Sequence, residues 1–447
     1  MHWFAGLKKN GPSVSVPSAT TDTDESDGNG FRPTSPTMHV PPLHRAGRFI
    51  GRACGRLEQI LHNNFWRAVA AALFAGVSGC ATDSAHPPST STVERPAGLQ
   101  LILDHRRAPT NDLIEVFICD VSLPTSDPLF GDLPLRLPLT ATTVATELDD
   151  NVRPFFEALS HGLYHPRFMA GSTLRITATE THADCVERAL DASNPAAGAV
   201  LVVATAENLA SEPGGWGRPG SPCAVDFCPA ATTRRAVFVG ASDFHPDNGP
   251  VPLLDLIEHE LGHTLDLPHS GDPGVNQHAS GLDMMSNSAA PRDAQPRRRN
   301  AQDTIAINRA ALGWLPASDI RVASPGGDVF DLAASTGPAG LRLLVLPVDR
   351  FAFLTVEYLR ADGFDDFLPA GGIAVHRIDQ SGAACARSSA GEDLCTGIDR
   401  VQTTLGSPSP HLELLNRSGA SWVLDGWTVT VHGIGTTAQV EVRPPQR

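Results

Sequence analysis

Residues 251–269 read VPLLDLIEHELGHTLDLPH, and the organisation of the chain follows from them. Leu253, Leu254, Ile257, Leu261 and Leu265 recur at helical spacing, so most of the stretch is predicted to be an amphipathic helix with a buried apolar stripe. His259 and His263 stand at i and i+4, one above the other on a single helix face. Two imidazoles in that relation can bind one Zn²⁺, and Glu260, beside the first of them, can reach a water at the metal. Pro268 is expected to stop the helix, because the residue before a proline is pushed out of the helical region. The chain then turns, and His269 supplies a third nitrogen from a loop. Three protein ligands leave the fourth tetrahedral position to water, the arrangement of a catalytic rather than a structural zinc. The plainer reading of the same residues is a buried helix with hydrogen-bonded histidines.

The run HELGHTLDLPH at 259–269 resembles the zinc signature of the metzincin metallopeptidases, HExxHxxGxxH. Metzincins carry a methionine turn beneath the metal, downstream of the third ligand. Residues 281–286 read GLDMMS, where Met285 is the better match to that pattern and Met284 the alternative; two core methionines are the plainer reading. Asp266 stands where metzincins usually have glycine, at a sharp turn expected to need positive φ. Asp tolerates that region better than most residues, though less well than Gly. Some metzincins add a tyrosine ligand near the methionine turn; the only tyrosines are Tyr164 and Tyr358, so none is expected.

Downstream, a predicted helix at 304–311 leads into LGWL at 312–315. FLTVEY at 353–358, GGIAVHRID at 371–379 and the runs 427–431 and 438–442 follow. Together these resemble the gametolysin and immune inhibitor A branch of the metzincins. The resemblance implies an α+β fold: a zincin-type catalytic domain over 99–316, with a mixed sheet and the active-site helix, followed by an all-β sandwich domain over 317–447. It implies a zinc-dependent endopeptidase acting on protein or peptide substrates, with His259, His263 and His269 as ligands and Glu260 as the proton shuttle. Two other readings stay open: a zinc amidase on cell-wall peptides, and a catalytically inactive surface-binding lipoprotein, against which the intact Glu260 argues.

Ahead of the helix, segments 99–104, 113–119, 173–179, 199–204 and 236–240 read as strands and 152–163 as a helix. Strands alternating with helices fit a mixed sheet. The Gly/Pro run 213–220 is expected to be a surface loop and a candidate border of the substrate cleft, and 291–299 a polar, arginine-rich loop. From residue 319 on, short alternating strands separated by turn residues read as a sandwich. His376, His411 and His432 fall there and are expected to be structural. The acidic run DGFDD at 362–366 is a candidate Ca²⁺ site, with a solvated loop as the plainer reading.

Residues 1–80 read as a leader. A basic residue, Arg67, precedes a short apolar run that ends in small residues and VSGC at 77–80. That is the pattern of an export signal, and the run is too short to span a bilayer. VSGC closely resembles the bacterial lipobox, which implies a lipid on Cys80 and an exported protein anchored to the cell envelope. Ala81 in place of Asp after the cysteine favours the outer membrane if the host has one. A cleaved signal and a secreted soluble protein are the alternative. Residues 81–98, rich in Ser, Thr and Pro, read as a tether. Cys119, Cys185, Cys223, Cys228, Cys385 and Cys395 form an even set, which in an exported chain implies disulfides. Local spacing favours Cys223–Cys228 and Cys385–Cys395, with Cys119–Cys185 as the remainder. A net charge of −15 at pH 7 does not point to a nucleic-acid partner. The oligomeric state is open.

Overall fold

A computed structural model describes residues 94–104, 109–121, 137–177, 179–206, 214–219, 234–249, 251–270, 278, 280–380, 401–403 and 414–445. Cys80, the lipobox and tether up to residue 93, Cys223, Cys228, Cys385, Cys395 and His411 lie outside these residues. Among the described residues no helix is long and apolar enough to cross a membrane.

Five strands build the first sheet: β1 (Asn111–Val121), β2 (His165–Ile176), β3 (Ala199–Ala204), β4 (Gly215–Arg218) and β5 (Arg235–Val239). Their order is β2-β1-β3-β5-β4. The first four in that order are parallel neighbours, and β4 runs antiparallel to β5, at the edge among the described residues. Parallel pairing needs crossovers, supplied by the helices α2 (Ala141–Leu159) between β1 and β2 and α3 (His182–Ala192) between β2 and β3. β3 is buried at every position, as a strand covered on both faces must be. On one face, Ile114, Val116, Ile118, Leu201 and Val203 pack with Leu148, Val152, Phe155 and Phe156 of α2. On the other, Phe117, Val200, Val202 and Phe238 pack with Val186 and Ala189 of α3. A disulfide between Cys119 of β1 and Cys185 of α3 ties that second face together.

Among the described residues nine strands follow: β6 (Ile320–Val322), β7 (Asp328–Ala333), β8 (Leu343–Pro347), β9 (Ala352–Leu359), β10 (Gly372–Asp379), β11 (Val401–Thr403), β12 (Ser421–Leu424), β13 (Trp427–Ile434) and β14 (Thr437–Arg443). They form two sheets, ordered β11-β10-β9-β8-β6 and β12-β13-β14-β7. Leu344, Leu346, Leu354 and Val356 of the first sheet share a core with Phe330, Leu332, Val429, Val431, Val440 and Val442 of the second. The opposite face of the first sheet presents Leu343, Val345, Phe353 and Ile378, which join the core containing α2. β9 is therefore buried at all of its positions. The architecture is α+β, with one apolar core running continuously across the 316/317 boundary expected from the sequence.

Several local expectations need correction. Residues 99–104 are not a strand but part of a helix, α1 (Ala97–Asp104). Leu99, Ile102 and Leu103 are buried at i, i+3 and i+4 while Leu101 is half exposed, so packing selects the helical period for a run too short to declare one. The helix at 152–163 is the second half of α2. Its first half, ATTVATELDD, buries Ala141, Val144, Ala145 and Leu148 with few large apolar side chains, which hid the stripe. The strand read at 173–179 is the end of the longer β2, which finishes at Ile176. The Gly/Pro run 213–220 contains β4 and is not simply a loop, and the run 291–299 overlaps a short helix, α5 (Ala290–Ala294).

The 362–366 run is a short turn that solvent reaches at Asp362 and Asp366, as expected of a loop, while Asp365 points inward. Asp365 is buried and accepts the Asp303 N–H at 3.1 Å, Asp366 pairs with Arg298 at 2.6 Å, and Asp362 pairs with Arg360 at 2.5 Å. His376 is buried with its Nδ1 3.6 Å from Glu357, and His432 pairs with Glu441 at 3.1 Å. Burial holds Glu357 up at about 7 and His376 down at about 4.

Candidate metal centre

The helix that carries the signature, α4 (Asp255–Thr264), is placed by its apolar side: Leu254, Ile257, Leu261 and Leu265 enter the core that also holds α2. Its start is tied by the Arg299 carbonyl, which accepts the N–H groups of Leu254 and Asp255 at 2.9 Å each. Arg292 pairs with Asp255 at 2.9 Å, and buried Glu258 accepts from Asn300 Nδ2 at 2.5 Å and the Ala301 N–H at 2.7 Å. These contacts give α5 and the arginine-rich stretch after it a role, pinning the helix N-terminus.

The helix ends before Pro268 acts on it. Leu265 is its C-cap, Asp266 adopts φ 69°, the Asp266 N–H returns to the His263 carbonyl at 2.9 Å, and the Leu267 N–H reaches the Gly262 carbonyl at 3.2 Å. That pair of bonds closes a Schellman ending, in which the left-handed residue reverses the chain. Asp266 thus takes the conformation for which glycine is ordinarily favoured.

The reversal brings His269 back over the helix. The Nε2 atoms of His259 and His263 are 3.1 Å apart, those of His263 and His269 3.0 Å, and those of His259 and His269 3.2 Å. Nitrogens on one tetrahedral zinc at ~2.05 Å stand about 3.3 Å apart, so the triangle has the size the ion requires. The hydrogen bonding supports the same conclusion. His259 Nδ1 donates to the Met284 carbonyl at 2.7 Å, and His263 Nδ1 donates to the Leu267 carbonyl at 2.8 Å. With those protons on Nδ1, each Nε2 presents a lone pair, and lone pairs at this distance repel unless a cation lies among them. Burial lowers the pKa of all three imidazoles, His263 to about 4, and charge on neighbouring histidines lowers them further. All three are neutral at pH 7, the form that binds a metal.

Glu260 is buried, and one of its carboxylate oxygens lies within 4.8 Å of the ring nitrogens of His259 and His263. It flanks the histidine face instead of sharing it. The methionine pair lies directly under the helix. A Cβ on Gly262 would meet Met285 Sδ at 2.3 Å and Met284 Cε at 3.2 Å, so the glycine of HELGH leaves room for both side chains. The two methionines divide the work: Met285 packs its sulfur against Gly262, and Met284 offers the carbonyl that orients His259.

Two features of the site have no counterpart in the sequence reading, and a third was expected there only as a surface loop at the border of the substrate cleft. Asp283 is buried and ties the methionine turn to the helix α6 (Ala306–Leu312) and the residues before it. It accepts from the Met285 N–H at 3.2 Å, Thr304 Oγ1 at 2.8 Å and Asn308 Nδ2 at 3.0 Å. Burial raises its pKa, and hydrogen bonds from Ser270, Thr304 and the Met285 and Ile305 N–H groups oppose the rise. His278 is a fourth imidazole, its ring 4.5 Å from that of His269. The third is β4, the edge strand, which lies against α4 at the site: a Cβ on Gly215 would stand 3.1 Å from Glu260 Cγ. A Cβ on Gly217 would stand 2.0 Å from the Glu260 carbonyl oxygen and 3.0 Å from His263 Cβ.

The Gly217 contact is with backbone, which cannot swing aside as a side-chain tip can. Gly217→Ala is expected to lift β4 from the helix and to cost about 1–3 kcal/mol of stability, the range for overpacking a tight interior. Thermal unfolding checks this; an unchanged midpoint would show that strand and helix do not touch as described.

No family model matches the chain, and no curated protein matches it.

Proposed function

We propose that this chain is a zinc-dependent endopeptidase of the metzincin type, in the gametolysin and immune inhibitor A branch, exported and anchored through a lipid on Cys80. The observation that carries the reading is the convergence of three neutral imidazole nitrogens at 3.0–3.2 Å beside a buried carboxylate that is not needed as a ligand. Bound there, Zn²⁺ would supply the Lewis acid that activates water and takes up charge from a scissile carbonyl. His259, His263 and His269 hold it, with the carbonyls of Met284 and Leu267 holding two of the rings in their ligating tautomer. Glu260 takes a proton from the attacking water and passes it to the leaving amine. β4 supports a peptide substrate: an edge strand beside Glu260 presents backbone groups to an extended chain, the mode of strand addition. The export and lipid assignments rest on VSGC at 77–80 and the apolar run before it.

The full-length protein is expected to bind about one zinc per chain and to hydrolyse casein. A chelator should abolish that activity, and added zinc should restore it. Release of products from purified peptidoglycan without casein hydrolysis would favour the amidase instead. Zinc retention with neither activity would favour a surface-binding lipoprotein.

A further inference from the structure

We propose that His278 is a fourth protein ligand of the metal, occupying the coordination position that His259, His263 and His269 leave open, so that the resting site is closed. This rests on the metal reading above and adds a residue and a regulatory consequence to it.

His278 repeats the arrangement of the helix ligands. Its Nδ1 faces the Ser286 carbonyl at 3.2 Å, as His259 Nδ1 faces that of Met284 and His263 Nδ1 that of Leu267. An imidazole whose one nitrogen donates to a backbone carbonyl has its other nitrogen prepared for a metal. Two of these carbonyls, Met284 and Ser286, belong to one turn, so the methionine turn orients both a helix histidine and His278. The ligating nitrogens of His259, His269 and His278 lie within 4.8 Å of one another. Nitrogens on one zinc stand about 3.3 Å apart, so His278 joins the ion by closing on the three nitrogens already assembled. Its ring centroid is 4.5 Å from that of His269 and 6.0 Å from that of His259, so it approaches from the side of the loop ligand.

Four protein nitrogens make a closed tetrahedral set, the pattern of a structural site. Water and the substrate carbonyl then compete with His278 for one position, and hydrolysis begins when His278 yields it. His278 accordingly strengthens metal binding and restrains turnover, a combination no purely structural histidine produces.

The test uses the full chain with His278→Ala and His278→Gln, metal-free and loaded with zinc or cobalt. Zinc affinity, read by competition with a chromophoric chelator, is expected to fall at least about 10-fold in both variants. The visible absorption of the cobalt form is expected to change as one nitrogen is replaced by water. Casein hydrolysis per bound zinc is expected to rise. Thermal unfolding of the metal-free variants separates loss of a ligand from loss of fold. Wild-type affinity and an unchanged cobalt spectrum in both variants would overturn the proposal, and so would a fall in hydrolysis per bound zinc. If His259→Ala loses the metal while both His278 variants keep wild-type affinity, the metal site stands and the role of His278 does not. If the wild-type chain binds no zinc or cobalt, the reading of the site falls as well.

Discussion

Glu260→Ala is expected to keep the metal and the fold while lowering peptide hydrolysis by roughly 10²–10⁴-fold, the usual contribution of a positioned general base. The expectation comes from its position. Glu260 follows His259 in the helix, so its side chain leaves the face on which His259 and His263 stand, and its carboxylate comes within 4.8 Å of their ring nitrogens. The three Nε2 atoms already close a triangle without it. Truncation removes a side chain that touches the position of Gly215 in β4 but leaves the leucine stripe of α4 and the Gly217 contact intact. Zinc content, thermal unfolding and casein hydrolysis are to be measured on the same preparation. Near-wild-type peptidase activity in Glu260→Ala would sink the proposed mechanism, whatever the zinc content. Loss of zinc together with activity would make Glu260 a ligand and reassign its role.

His259→Ala is expected to lose metal and activity together, with affinity falling on the order of 10²-fold or more, since removing even an outer-shell partner typically costs 10–100-fold. His259 is the informative position because it belongs both to the triangle with His263 and His269 and to the group with His269 and His278. Without it, neither group keeps its geometry. It is also firmly oriented, buried and bonded to the Met284 carbonyl at 2.7 Å. Metal analysis after dialysis against a weak chelator reads the result directly. A His259→Ala protein that keeps one zinc per chain would place the metal elsewhere.

The reach of local pattern can be followed along α4. The 3.6-residue period puts Leu254, Ile257, Leu261 and Leu265 on one side and His259 and His263 on another, and both relations hold in the structure because neither depends on anything outside the helix. The third histidine was legible for a similar reason: Asp266 takes the left-handed conformation expected at the glycine-like position, and the turn it makes is closed by bonds within six residues. Long runs of β-branched and apolar residues, such as 199–204, were equally plain, since a strand buried on both faces has no polar side to disguise it.

What lay beyond the sequence is whatever a distant segment supplies. Nothing within 99–104 chooses between a strand and α1; contact with the rest of the core does. Nothing within GWGR announces β4; pairing with β5 from Gly215 opposite Val239 to Arg218 opposite Ala236, and two glycines that let α4 approach, make it a strand at the site. The partners of His278 and Asp283 follow the same rule. Each is an ordinary polar residue in its own stretch and acquires meaning only from Ser286 and His269, or from Thr304 and Asn308, which the fold brings alongside. By itself, then, the sequence determined the helix face, its two imidazoles and the turn that returns the third, because short-range periodicity and turn geometry govern them. The edge strand over Glu260, the carbonyls that orient the rings and the fourth histidine were decided only by tertiary packing, because hydrogen bonds and close backbone contacts between remote segments leave no period in the chain.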